Sequence, residues 1–257
     1  MRRLFATAGL MLLAAACAAG QEGASAAQWD SVEIWDGLLR AHGREGGLDY
    51  AGLAADEADL DRYLESVRRA DPASMPPARA LAFWINAYNA VVAKFVLERY
   101  PGLESVRDVD GFFDELTFPV AGAERTLDEI ETEARDSGDA RVHFAVVCAS
   151  TSCPDLLAEA YVGERLDEQL ESQTRVFLAD EAKGLRFDAA KEDLYLSSIF
   201  KWYAGDFTGG STVVAFFARG KVVEWVLEHL PAELALQIEA ADPSVTYLDY
   251  DWSLNDR

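Results

Sequence analysis

Apolar positions recur at helical spacing through Val32, Ile34, Trp35, Leu38 and Leu39, which predicts a helix over Trp29 to Ala41 with Gly43 as its stop. Gly46-Gly47-Leu48-Asp49-Tyr50 reads as a turn entering a short extended piece, and Asp56 to Arg69 as a second helix. Pro72 and the Pro76-Pro77 pair interrupt the pattern. Ala78 to Tyr100 then carries apolar residues almost all the way round before Pro101 stops it, the signature of a central, buried helix. Leu116 to Val120 predicts a short strand, and Thr126-Leu127-Asp128-Glu129 a capping box opening a helix. Arg141 to Cys148 is β-branched and aromatic, and predicts a buried strand. Tyr161 to Leu178 reads as a helix, Leu185-Arg186-Phe187 and Leu194-Tyr195-Leu196 as a hairpin, and Ser197-Ser198 as the cap of a turn through Trp202. Thr212 to Leu230 predicts helix in two pieces around Gly220, and Val245 to Leu248 a last strand. Helices outnumber strands. The expectation is an α+β fold: a small mixed or antiparallel sheet covered by several helices, one of them long, central and apolar.

The first residues change the picture from fold to location. Arg2 and Arg3 precede an apolar or small run from Leu4 to Ala16, broken only by Thr7. This is too short to span a bilayer and fits the core of a secretory leader over residues 1–16. Ala14-Ala15-Ala16-Cys17 is similar to a bacterial lipobox, with Ala14 where Leu is usual, so Cys17 is the expected lipidation site. Residues 17–28 then form a small, polar tether, and 29–257 a single globular domain without internal repeats. No segment after the leader reads as long and apolar enough to cross a membrane. The predicted location is the cell envelope, anchored through the Cys17 lipid and facing the periplasm.

The chain carries 23 basic and 45 acidic residues, a net charge of −22, and loss of Arg2 and Arg3 with the leader makes it more negative still. Such a balance opposes nucleic-acid binding and docking on anionic lipid. The expected partners are the membrane, through the lipid, and a small molecule or envelope protein.

With Cys17 assigned to the lipid, two cysteines remain, and both fall within Arg141-Val142-His143-Phe144-Ala145-Val146-Val147-Cys148-Ala149-Ser150-Thr151-Ser152-Cys153-Pro154. On a strand, His143 and Cys148 would face opposite ways. Pro154 suits the first position of a helix, placing Cys153 at a helix start where free N–H groups stabilise a thiolate. Cys153 is therefore the preferred nucleophile, Cys148 the second choice, and His143 the base. Two alternatives stand beside this. The cysteines can form a structural disulfide, as pairs in exported domains often do. His143, Cys148 and Cys153 can also ligate a metal, although a fourth ligand and the usual zinc spacing are missing. Asn86 and Asn89 share one face of the apolar helix; they either hold the backbone of a neighbouring loop or form a polar wall, with Asn86 orienting a histidine. Glu131 is expected to pair with Arg135 or Arg141 or to contribute to binding, while His42 and His229 read as surface residues. No phosphate loop, Gly-x-Ser-x-Gly elbow or His-Glu-x-x-His motif occurs, and no cofactor or metal is predicted.

Several blocks together resemble one family: Gly46-Gly47-Leu48-Asp49-Tyr50, Ala82-Phe83-Trp84-Ile85-Asn86-Ala87-Tyr88-Asn89, Arg141-Val142-His143-Phe144-Ala145, Cys148-Ala149-Ser150, Ser152-Cys153-Pro154 and Tyr250-Asp251-Trp252-Ser253-Leu254-Asn255. The chain is identified as a member of domain-of-unknown-function family 547, whose domain recurs in exported bacterial proteins and in multi-module eukaryotic ones. The resemblance implies that Asn86, Asn89, His143, Cys148 and Cys153 belong to one shared pattern, and it carries no established reaction. Relatives usually show Ile-Glu-His where this chain has Ile130-Glu131-Thr132. Three functions follow as expectations: a thiol enzyme of papain or transglutaminase logic, a non-catalytic envelope binding or scaffold domain with a Cys148–Cys153 bridge, and a redox module using the same pair.

Overall fold

The computed structural model describes residues 31–209 and 215–257, with side chains described outside 215–218. The leader, Cys17 and the tether lie outside the described residues, as do the start of the first helix and Thr212. The helices are α1 (Val32–His42), α2 (Tyr50–Ala55), α3 (Glu57–Arg69), α4 (Pro77–Leu97), α5 (Leu127–Arg135), α6 (Leu166–Ala179), α7 (Ile199–Trp202), α8 (Ala215–Glu228) and α9 (Ala232–Ala241). The strands are β1 (Gly43–Arg44), β2 (Gly47–Leu48), β3 (Thr117–Val120), β4 (Ala123–Thr126), β5 (Leu185–Asp188), β6 (Asp193–Leu196) and β7 (Ser244–Tyr247). The α+β class stands. The strands form three small sheets rather than one: antiparallel β1-β2, antiparallel β3-β4, and a mixed β5-β6-β7 sheet in which β5-β6 is the expected hairpin and β7 runs parallel to β6.

α4 is the axis of the larger core. Pro77 starts it, and every residue from Leu81 to Ala93 is buried. Its 21 residues and a mean hydropathy of 1.5 meet the length and composition of a membrane span, contrary to the sequence expectation, but 83% of that window is buried inside the fold. The helix is sheathed by protein, which is what an all-round apolar helix in a globular core requires. α5 packs along α4, opened by the predicted capping box: Thr126 Oγ1 accepts from Glu129 N, and Glu129 accepts from Thr126 N.

A second core gathers Phe144, Phe177, Phe200, Phe207 and Val226, with Trp225 packed against it. Phe144 stacks on Phe177 at 5.0 Å and meets Phe200, Phe207 and Trp225 within about 6 Å. Ala145, the next residue, belongs to the α4 core. The segment around residue 144 is thus the seam between the two cores.

That seam is not a strand, and the prediction for Arg141–Cys148 is corrected. Ala140–Phe144 is a 3₁₀ turn capped by Asp139, whose carboxylate accepts from Arg141 N at 3.0 Å, and Val146–Cys148 is irregular. The strand-like composition finds its hydrogen bonds in a side chain instead of a neighbouring strand. Asn89 Nδ2 donates to Ala145 O at 2.9 Å, and Asn89 Oδ1 accepts from Val147 N at 2.8 Å. A buried Asn presents one donor and one acceptor side by side, so it satisfies the backbone as a strand edge would.

No helix starts at Pro154 either. Residues 154–163 are irregular, and side chains hold them. Asn86 clamps Tyr161, donating to its carbonyl (2.8 Å) and accepting from its N–H (3.0 Å); Asp36 accepts from Ala160 N, and Gln169 from Val162 N. With those N–H groups engaged, α6 begins at Leu166 rather than at Tyr161. Two further corrections concern helices. α8 runs through Gly220 as one helix, and Tyr50 opens α2, capped by Asp49, instead of ending an extended piece.

Candidate thiol site

A cavity of about 350 Å³ opens between the α4–α5 side of the larger core and the chain that follows β6. The sequence-predicted residues divide cleanly around it. Cys148, Cys153, His143 and Glu131 line it; Asn86 and Asn89 do not. Asn86 is brought to Tyr161 and Asn89 to the backbone beside Cys148, so both position the site from behind and neither faces it.

Cys148 follows the Asn89-bound Val147 and precedes Ala149, a buried non-glycine residue with φ +61°. The left-handed backbone at Ala149 turns the chain sharply, and the turn brings Cys153 back over Cys148. Both cysteines are free, with their sulfurs 2.9 Å apart, and Cys148 N donates to Cys153 Sγ, also at 2.9 Å. Ser150 Oγ lies 3.0 Å and Tyr250 Oη 3.4 Å from Cys148 Sγ. Cys148 therefore has three potential donors around its sulfur.

These contacts reverse the expected roles of the two thiols. The hydrogen bond from Cys153, helped by Ser150 and Tyr250, outweighs burial and pulls Cys148 down to about 7 from its ordinary value of 9.0. Burial, followed by the neighbouring Cys148, holds the Cys153 thiol well above that value. Cys148 is the activated sulfur and Cys153 the protonated donor. The helix start invoked for Cys153 is absent, so that electrostatic argument lapses.

His143 shares the cavity but bonds neither sulfur among the described residues. Its Nε2 lies 2.8 Å from Asp206 Oδ2, and its ring packs 4.1 Å from Tyr203 and 5.4 Å from Phe207. Burial lowers His143 to about 4, against the opposing pull of Asp206, so it is neutral at neutral pH. Burial would raise Asp206, but hydrogen bonds from Arg135 and His143 leave it lowered and ionised. A carboxylate only accepts, so His143 Nε2 carries the proton and Nδ1 keeps the lone pair.

Glu131 is buried and makes no salt bridge with Arg135 or Arg141 among the described residues, contrary to expectation. Arg135 engages Asp206 at 2.7 Å and Arg141 engages Asp139 and Asp167. The Glu131 carboxylate meets the Tyr203 hydroxyl instead, and burial, the larger influence, raises its pKa. Asp114 and Asp128 line the outer cavity, where burial and then Asp114 raise Asp128. Thr132, where relatives usually carry His, is exposed and donates to Asp128 O, so it adds nothing to the cavity. The far wall is aromatic: Trp202, Tyr250 and Trp252 contact one another at 4.7 to 5.8 Å.

Sequence reasoning missed Asp206, Tyr203 and Trp202, which nothing in their local pattern marks. Tyr250 and Trp252 did stand in a quoted block. The closing segment reaches the cysteine loop through backbone bonds: Thr151 N donates to Ser253 O, Ser152 N to Asp251 O and Asn255 N to Ala149 O. His42, expected at the surface, is buried and bonded to Asp56 at 2.8 Å, while His229 is half-buried and stacks on Trp225. The described residues hold no cluster of three or more His, Cys, Asp or Glu suited to a metal.

Residues 72–178 match the family described as "Protein of unknown function, DUF547". The matched stretch contains α4, Glu131, His143, Cys148 and Cys153; the blocks at 46–50 and 250–255 lie outside it. No curated protein and no solved structure matches the chain.

Proposed function

From a chain whose residues 72–178 form a DUF547 region, we propose thiol-dependent catalysis of papain or transglutaminase logic, with Cys148 rather than Cys153 as the nucleophile. The observation that carries this reading is the shared cavity: Cys148, Cys153 and His143 line one concave space, and Cys148 holds the donors that favour its thiolate. In the first step the Cys148 thiolate attacks an acyl carbon, a C–S bond forms, the bond from that carbon to the leaving group breaks, and the leaving group departs with the electron pair and takes a proton from solvent. In the second, His143 Nδ1 takes a proton from the incoming water or amine, which displaces the thiolate. Asp206 fixes the imidazole tautomer, and Arg135 fixes Asp206. Thiolate formation rests on Cys153, Ser150 and Tyr250, not on an imidazolium.

Iodoacetamide labelling at pH 7 tests this. Cys148 should react much faster than an ordinary thiol, and Asp206→Asn or His143→Ala should abolish turnover of a thioester or amide substrate while leaving labelling largely intact. Slow labelling of Cys148 in the reduced protein rejects the proposal.

The 2.9 Å separation of the sulfurs favours one second reading, a binding or scaffold domain in which Cys148 and Cys153 are bridged. Non-reducing mass spectrometry of protein taken directly from its compartment separates the two, since recovery of both free thiols counts against the bridge. Export and a lipid on Cys17 complete the proposal on the strength of the leader sequence. Metabolic labelling with palmitate, lost in Cys17→Ser, tests them.

A further inference from the structure

The geometry points to a ligand that carries an organic cation, an alkylammonium head seated between the cavity's carboxylates and its aromatic wall. This deepens the proposed thiol site by naming its substrate class, and it rests on that reading.

Three observations meet in one cavity. First, its titratable lining besides His143, the thiols and the tyrosines is acidic only: Asp114, Asp128 and Glu131, with no lysine or arginine. Second, none of the three forms an ion pair among the described residues. Arg135, which acts on Glu131 and Asp128 only from a distance, is committed to Asp206 and lies 4.8 Å over the Tyr203 ring. Glu131 is only 8% exposed and has a neutral phenol as its partner. A carboxylate taken out of water without a close counter-ion is costly, and Arg135, already paired with Asp206, offsets that cost for Glu131 only in part. Third, the wall opposite is built of Trp202, Tyr250 and Trp252; Arg107 already lies 5.1 Å over the Trp252 ring, while among the described residues no cation is stacked on Trp202 or Tyr250, whose ring faces attract cations. Trp202 is 48% exposed, so the aromatic surface reaches the mouth, with Asp114 and Asp128. A volume of about 350 Å³ lies at the lower end of small-molecule sites, roughly 300–1,000 Å³. An anionic ligand would meet three carboxylates, and a wholly apolar one would leave Glu131 with the Tyr203 hydroxyl alone. Protonated His143 would weaken cation binding, but its burial keeps it neutral at pH 7 against the opposing pull of Asp206.

The test compares choline and n-butylammonium with 3,3-dimethylbutan-1-ol, an uncharged mimic of choline's shape, by calorimetric titration in 0.15 M salt. The cations should bind at least about tenfold more tightly than the alcohol and should slow iodoacetamide labelling of Cys148. Because the whole chain is acidic, a second comparison removes general charge attraction. Glu131→Gln should weaken cation binding about tenfold, whereas Asp167→Asn, at a side chain 90% exposed, should leave it unchanged. Equal binding of the alcohol, or equal effects of the two substitutions, overturns the inference. If that happens while Cys148 still labels rapidly, the cation inference fails and the thiol reading stands. If cations bind as expected and Cys148 labels slowly, the thiol reading fails and the cavity is a cation-binding site without the nucleophile.

Discussion

Cys153 acts on Cys148 as a hydrogen-bond donor across 2.9 Å, and this contact is the largest influence drawing the Cys148 thiol down to about 7. Replacing Cys153 with Ala removes the donor and leaves the other cysteine in place. The pH profile of Cys148 alkylation should then shift from a midpoint near 7 toward the ordinary thiol value of 9.0. Tyr250→Phe should move it in the same direction by less. An unchanged midpoint in Cys153→Ala shows that the activation arises elsewhere.

His143 gives the fold a pH dependence of definite sign. It titrates near 6.5 when unfolded and near 4 when buried, so between these values the unfolded chain binds more protons. Stability is therefore full above about pH 6.5, falls as the pH drops through that window, and loses roughly 3 kcal/mol by pH 4 from this group alone. Urea midpoints at pH 7 and pH 4.5 check this. The drop should shrink in His143→Gln, and an equal drop assigns the loss to other groups.

The two clamping asparagines should prove structural before they prove catalytic. Asn86→Ala leaves the Tyr161 N–H and carbonyl without partners, and Asn89→Ala does the same at Val147 and Ala145. Each change should cost about 2–4 kcal/mol, from two unsatisfied buried groups. Asn89→Ala should also slow Cys148 labelling, because Val147 adjoins it. A variant of normal stability that merely lost turnover contradicts this assignment.

Phe144 touches four other aromatic rings and is fully buried. Phe144→Ala should lower unfolding free energy by about 3–5 kcal/mol, measured by urea denaturation. It should also disturb Cys148 labelling, since the seam carries both.

The parts of the fold legible in the sequence are those decided by periodicity and local chemistry: α3, the all-round apolar α4, the Thr126 capping box and the β5-β6 hairpin. Residues 141–148 show why other parts were not. Their composition demands backbone partners, and composition cannot tell a strand edge from an asparagine amide. The same holds for Tyr161, whose N–H went to Asn86 and delayed α6. In the site, the sequence brought forward Cys148, Cys153 and His143, because rare residues close together stand out, and Glu131 through its place after the apolar Ile130. It ranked Cys153 above Cys148 on a helix start that is absent, whereas the ranking depends on Tyr250 and on a turn at Ala149. Asp206 was invisible, being one acid among many and 63 positions from the histidine it holds.

The seam at Phe144 bears on how the chain can be divided. Residue 178, where the family match stops, is no joint in the molecule. Phe177 and Leu178 pack inward with Phe200 and Leu196, and the carboxylate behind His143 and the aromatic side of the cavity come from beyond that point. The matched stretch is thus a cassette that carries the thiols and the imidazole without their surroundings, which the later residues supply. Variation after residue 178 would reshape the cavity around an unaltered cassette, as exchanging a lens alters an image without touching the film.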